Sequence, residues 1–83
     1  MGLVSITRVR NRLRKGKRVY LSRNLPLGFR NTKPVPAKAD GFIDSDGFER
    51  GMLRVHFVML AGDEYASFNE LSANRYLKCD WLT

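Results

Sequence analysis

The sequence predicts a mainly β domain of about five strands, with a short basic helix or arm ahead of the first strand and one helical turn before the last. Three observations carry this. Gly51–Leu60, the longest apolar run in the 83 residues, is rich in β-branched and aromatic residues and ends at an Ala61-Gly62-Asp63 turn. Gly16–Ser22 and Arg75–Leu82 alternate in the period of two that a strand requires. Between them, Asp44-Ser45-Asp46-Gly47 has turn chemistry, with Phe42-Ile43 before it and Phe48 after it, as in a hairpin.

Length and charge bound what such a domain can do. A chain of this size buries about 60–65% of its unfolded surface, enough for one core and little more. The net charge is +7 and the isoelectric point near 10.2. That charge is unevenly spread: residues 1–39 hold eleven Lys or Arg and no acid, whereas residues 40–83 hold four basic and eight acidic residues. The halves therefore carry +11 and −4, and a block of one sign this long suits a polyanion or an acidic partner.

The N-terminal segment shows two periods. Leu3, Ile6, Val9 and Leu13 recur at near-helical spacing, while Arg8, Arg10, Arg12 and Arg14 alternate. We read Ser5–Lys15 as a short amphipathic helix capped by Ser5 or Thr7, and divide the chain into a basic arm, 1–15, and a β domain, 16–83. In the first strand Val19 and Leu21 face inward and Arg18, Tyr20 and Ser22 outward. This leaves an exposed aromatic ring among cations, suited to stacking on a base.

Residues 23–39, with prolines at 26, 34 and 36, form a long connection. Leu25, Leu27 and Phe29 are expected to tuck it onto the core, with Arg23, Arg30, Lys33 and Lys38 outside. Asp40–Arg50 makes the hairpin. In the central strand Leu53, Val55, Phe57 and Met59 share one face. Arg54 and His56 lie on the other, which Val58 and Leu60 then turn apolar, so the second half is expected to be enclosed. Glu64–Ser67 returns with Tyr65 directed inward. Ser67 and Glu70 have capping-box spacing for a helical turn reaching about Asn74. The last strand turns Leu77, Cys79 and Trp81 to one face and Tyr76, Lys78 and Asp80 to the other.

Gly16-Lys17-Arg18-Val19, Gly41-Phe42-Ile43, Gly51 through Phe57, and Tyr65 with the Leu71 turn together resemble the rhythm of the SH3-like small barrels over roughly residues 16–82. The resemblance implies a small closed β-barrel used for binding rather than chemistry. The cationic loop and the basic extension depart from that pattern and argue against recognition of proline-rich peptides.

Several classes are set aside. No Walker loop, dinucleotide glycine pattern, zinc spacing or paired-acid motif occurs, and the lone His56 has no nucleophile near it in sequence. The aspartates around Gly47 fail calcium-loop spacing, because the first and twelfth positions fall on Phe42 and Leu53. No metal, cofactor or small-molecule substrate is therefore expected, and no enzymatic activity. A single cysteine suggests a reducing, cytoplasmic setting. No apolar run is long enough to span a membrane, and the start lacks the order of a secretory signal. The first eighteen residues do share the Arg-rich, acid-free composition of organelle transit peptides.

The expected function is a small basic binding module that contacts DNA or RNA, mainly through phosphates. The candidate residues are Arg8, Arg10, Arg12, Arg14, Lys15, Lys17, Arg18, Arg23, Arg30 and Lys33, with Tyr20 or Phe29 stacking on an unpaired base. The alternative is an adaptor or inhibitor, of the kind phages and plasmids encode to modify host complexes, that docks on an acidic protein surface.

Overall fold

Six antiparallel strands and two short helices make up residues 2–81, the residues that the computed structural model describes. They are β1 Val4–Ser5, a 3-10 helix Ile6–Arg12, β2 Arg18–Leu21, β3 Asp40–Ile43, β4 Leu53–Val58, β5 Glu64–Phe68, α1 Glu70–Tyr76 and β6 Leu77–Cys79. The sheet order is β1-β6-β2-β3-β4-β5, so β1 and β5 are its edges. Between them lies α1, which packs against β1, β5 and the 3-10 helix. The fold is thus mainly β and barrel-like, with an open sheet whose gap a helix occupies.

Alternation builds the core. Val19 and Leu21 of β2, Leu53, Val55 and Phe57 of β4, and Ala66 and Phe68 of β5 are buried on one face of the sheet. Each large side chain fully buried in this way contributes about 1.5–3 kcal/mol. Gly41 of β3 pairs with both Val19 and Phe57. A Cβ there would sit 3.0 Å from the Phe57 ring and 3.1 Å from the Val19 carbonyl oxygen, so any larger residue would force the ring or the neighbouring strand to shift by a few tenths of an ångström.

The first fifteen residues add more than a basic extension. β1 pairs with β6, and Ile6, Val9 and Leu13 enter the main core. The expected amphipathic helix is instead a short strand followed by a 3-10 helix that breaks at Val9, where φ is −116°. A three-residue repeat brings Ile6 and Val9 to one side, and the break lets Leu13 follow four residues later. Ser5 does occupy the N-cap position but makes no capping bond. Its hydroxyl and that of Thr7 both donate to Asn74 Oδ1 on α1, at 2.6 and 3.0 Å.

Five further expectations are corrected. The central strand starts at Leu53, because Arg50 and Gly51, both at positive φ, form a two-residue turn closed by mutual Glu49–Met52 backbone bonds. Its end is not enclosed, since Val58 and Leu60 are exposed. Tyr65 points outward, with Glu64 and Ala66 taking the inward positions of β5. Asn69, not Ser67, caps α1, its side chain accepting from the Ser72 N–H. The helix continues to Tyr76 and β6 stops at Cys79, so the last strand spans three residues; Asp80 and Trp81 are not part of it, and Leu82 lies outside the described residues.

Candidate nucleic-acid interface

Residues 23–39 form an ordered connection rather than a slack one. Leu25 and Val35 bridge across it and are fully buried, while Leu27 is exposed, against expectation. The buried Asn31 side chain donates to the carbonyls of Pro26 and Lys33 and accepts from the Phe29 N–H. Glu64 then holds the tip of the loop through Thr32. These two polar groups satisfy the backbone that three prolines leave without strand partners.

The ten candidate cations, with Lys38 beside them on the loop, fall into two groups. Arg8, Arg10, Arg12, Arg14 and Lys15 lie on the 3-10 helix and its exit, leading to Lys17 and Arg18 at β2. Arg23, Arg30, Lys33 and Lys38 lie on the loop. No hydrogen bond or ion pair joins the groups among the described residues. Of these eleven, only Arg10 and Arg18 make ion pairs among the described residues, with Glu70 and Asp40 respectively. Arg10 also covers the Phe48 ring, and Lys17 covers Trp81. Arg23 is positioned over Tyr76, and Lys33 Nζ donates to the Ala61 carbonyl at 3.2 Å. Arg8, Arg14, Lys15, Arg30 and Lys38 are exposed.

The acids present the opposite picture. Asp40, Asp44, Asp63 and Glu70 pair with Arg18, Arg54, His56 and Arg10. Glu64 binds Thr32, Asp80 accepts the Tyr20 hydroxyl at 3.0 Å, and Glu49 accepts the Asp46 N–H. Seven of the eight carboxylates thus have partners within the fold, while nine of the eleven N-terminal cations make no ion pair among the described residues. The acids mainly fasten structure, and the positive charge is left over at the surface.

Neither candidate aromatic ring is an open platform. Phe29 is half-buried, with Phe68 at 5.5 Å and Tyr76 at 5.1 Å between ring centroids. Tyr20 faces outward as expected, but the Arg18 guanidinium lies 4.7 Å over its ring. The bond to Asp80, with lesser burial, raises its pKa above the ordinary value and keeps the phenol a donor.

A row of outward side chains escaped the sequence reading. Arg18, Phe42, His56 and Tyr65 stand directly opposite one another across β2, β3, β4 and β5. His56 stacks on Tyr65 at 4.6 Å and 11°, and its Nε2 lies 2.9 Å from Asp63 Oδ2. That bond, chiefly, holds the Asp63 carboxyl below its usual range. Arg54 covers Tyr65 from 4.6 Å. Outward parity was legible for Phe42 and His56; assigning Tyr65 to the core hid the row. Arg18 and Arg54 are paired with Asp40 and Asp44, and His56 is bonded to Asp63, so the row is engaged with its own neighbours and self-stacked.

The structure also bears on chemistry. Cys79 is fully buried, and that burial pushes its thiol pKa up, away from thiolate reactivity. Among the described residues no group of three His, Cys, Asp or Glu is arranged to hold a metal ion, and no helix is long and apolar enough to cross a membrane. Comparison with protein-family models, curated proteins and solved structures finds no match to this chain.

Proposed function

We propose that this chain is a non-enzymatic binding module of the SH3-like kind that contacts the phosphate backbone of nucleic acid through Arg8, Arg12, Arg14 and Lys15. One observation carries the reading: the carboxylates are engaged inside the fold, whereas this cation group is left without ion pairs among the described residues. Such a surface attracts a polyanion by releasing its condensed counterions and reads little sequence. Arg10 is excluded from the contact set because Glu70 and Phe48 already hold it. Base stacking by Tyr20 or Phe29 is not included, since both rings are engaged.

Fluorescence anisotropy of labelled duplex DNA, single-stranded DNA and RNA at two salt concentrations tests the proposal. The comparison is with a variant carrying Arg8→Ala, Arg12→Ala, Arg14→Ala and Lys15→Ala. Saturable binding should weaken steeply with salt, with a log–log slope near −0.9 per phosphate neutralised on duplex DNA. The variant should lose most of that slope. Binding that ignores both salt and the substitutions would overturn the reading.

A further inference from the structure

A groove of about 520 Å³ opens between the proline-containing stretch 33–40 and the end of β4 with its following turn. Its walls are Pro34 and Pro36 on one side and Val58, Met59 and Leu60 on the other. Leu60 is wholly exposed, because β4 ends at Val58 and the Gly62 N–H closes the turn onto the Met59 carbonyl, carrying Leu60 outward. This is a contiguous apolar patch rather than one stray side chain. Prolines supply no N–H, so this wall offers shape and apolar area instead of hydrogen bonds. Met59 adds a side chain that adapts to what it meets.

The charged residues at the groove select the occupant. Lys33 and Lys38 both line it. Lys33 gives one of its donors to the Ala61 carbonyl and keeps two, and Lys38 makes no ion pair among the described residues. Asp40, the one acid on the lining, is committed to Arg18. The groove thus combines an apolar floor with two available ammonium groups. It carries no aromatic ring on which a base could stack.

We infer that this groove is a protein-docking site for an acidic amphipathic peptide segment, one that buries a large apolar side chain against Leu60, Met59 and Pro36 and presents flanking carboxylates to Lys33 and Lys38. It is independent of the cation group proposed to bind phosphates, so the two sites fail or stand separately.

The probe is a short fluorescein-labelled peptide carrying leucine and phenylalanine among aspartates and glutamates, with a lysine-for-acid counterpart as control. Anisotropy, together with amide chemical shifts of the isotope-labelled protein, reads affinity and location. The acidic peptide should bind saturably and shift amides of residues 33–40 and 58–61, and the lysine peptide should not. Leu60→Asp and Lys38→Glu should each weaken binding about tenfold or more, or about 1.4 kcal/mol. Both positions are exposed, and circular dichroism of each variant should remain that of the parent. The Arg8, Arg12, Arg14 and Lys15 alanine variant should bind the peptide as the parent does. Absence of saturable binding would overturn the inference. So would binding lost with the arm substitutions rather than Leu60→Asp, since the peptide would then act only as a polyanion. Displacement of the peptide from these amides by single-stranded DNA would overturn it too, by making the groove a nucleic-acid site.

Discussion

Glu64 holds Thr32 at two points: Oε1 accepts the Thr32 backbone N–H at 2.8 Å and Oε2 accepts its hydroxyl at 2.5 Å. This ties the tip of the long loop to the first residue of β5, 32 positions away in sequence. The hydroxyl bond, then the N–H bond, holds the Glu64 carboxyl below its ordinary value of 4.5. A carboxylate on an inward position of a strand is tolerated because both oxygens are satisfied.

The loop should therefore loosen in acid. A depressed folded pKa contributes stability that is present above the unfolded value and is lost as pH falls through the folded one. Melting temperatures should decline once pH drops below about 4.5. Glu64→Gln should melt lower than the parent at neutral pH and show a shallower acid decline, because an amide cannot supply two charged acceptors. Equal pH profiles for the two proteins would remove Glu64 from the loop's attachment.

Gly41→Ala tests the closest approach in the sheet. The added Cβ meets Phe57 Cε1 at 3.0 Å and the Val19 carbonyl oxygen at 3.1 Å. The ring lies in a filled core and the carbonyl belongs to the neighbouring strand, so neither yields easily. Urea unfolding should give a loss of about 1–3 kcal/mol. A loss under about 0.5 kcal/mol, the range of an innocuous surface change, would mean that Phe57 swings aside.

Strand alternation made most of this fold legible in sequence. Val19 and Leu21, Leu53 through Phe57, and Leu77 with Cys79 all lie on the faces that a period of two assigns them. The failures have a common cause in long-range partners. Tyr65 is the more apolar residue and Glu64 the charged one, so local chemistry assigns them backwards; only Thr32, far off in sequence, makes an inward Glu64 acceptable. Ser67 has capping-box spacing, yet Asn69 caps α1 because β5 continues through Phe68. The division of the basic surface was only half visible. The +11 block was plain, but which of its members the fold would neutralise depended on where Glu70 and Asp40 were brought.

Arg50→Asn should stabilise the protein. Arg50 and Gly51 have φ of 54° and 78° and make up the two-residue turn between Glu49 and Met52. Both central positions of that turn demand left-handed backbone, and asparagine before glycine is the favoured pair. Arginine bears a steric penalty there that asparagine largely escapes, so the gain should approach about 1 kcal/mol. Thermal melts of the two proteins at one pH decide the matter, and a lower melting point for the variant would show that Arg50 makes a contact worth more than the strain.

Stability and polyanion affinity should separate within residues 6–15. Ile6, Val9 and Leu13 are buried in the core, while Arg8, Arg14 and Lys15 between and beyond them face solvent. Leu13→Ala empties a site that is 2% exposed and should cost about 2–5 kcal/mol. The alanine variant at Arg8, Arg12, Arg14 and Lys15 removes four like charges from eight consecutive residues, so its stability should match or exceed that of the parent at low salt, where their repulsion is least screened. Adding salt should stabilise the parent more than this variant, because screening relieves a repulsion that the variant lacks. Chemical denaturation with urea at two salt concentrations measures both effects without the ionic contribution of guanidinium. If the variant instead unfolds more readily, the arginines support the 3-10 helix through their stems, and its loss of nucleic-acid binding could not be read as loss of contact.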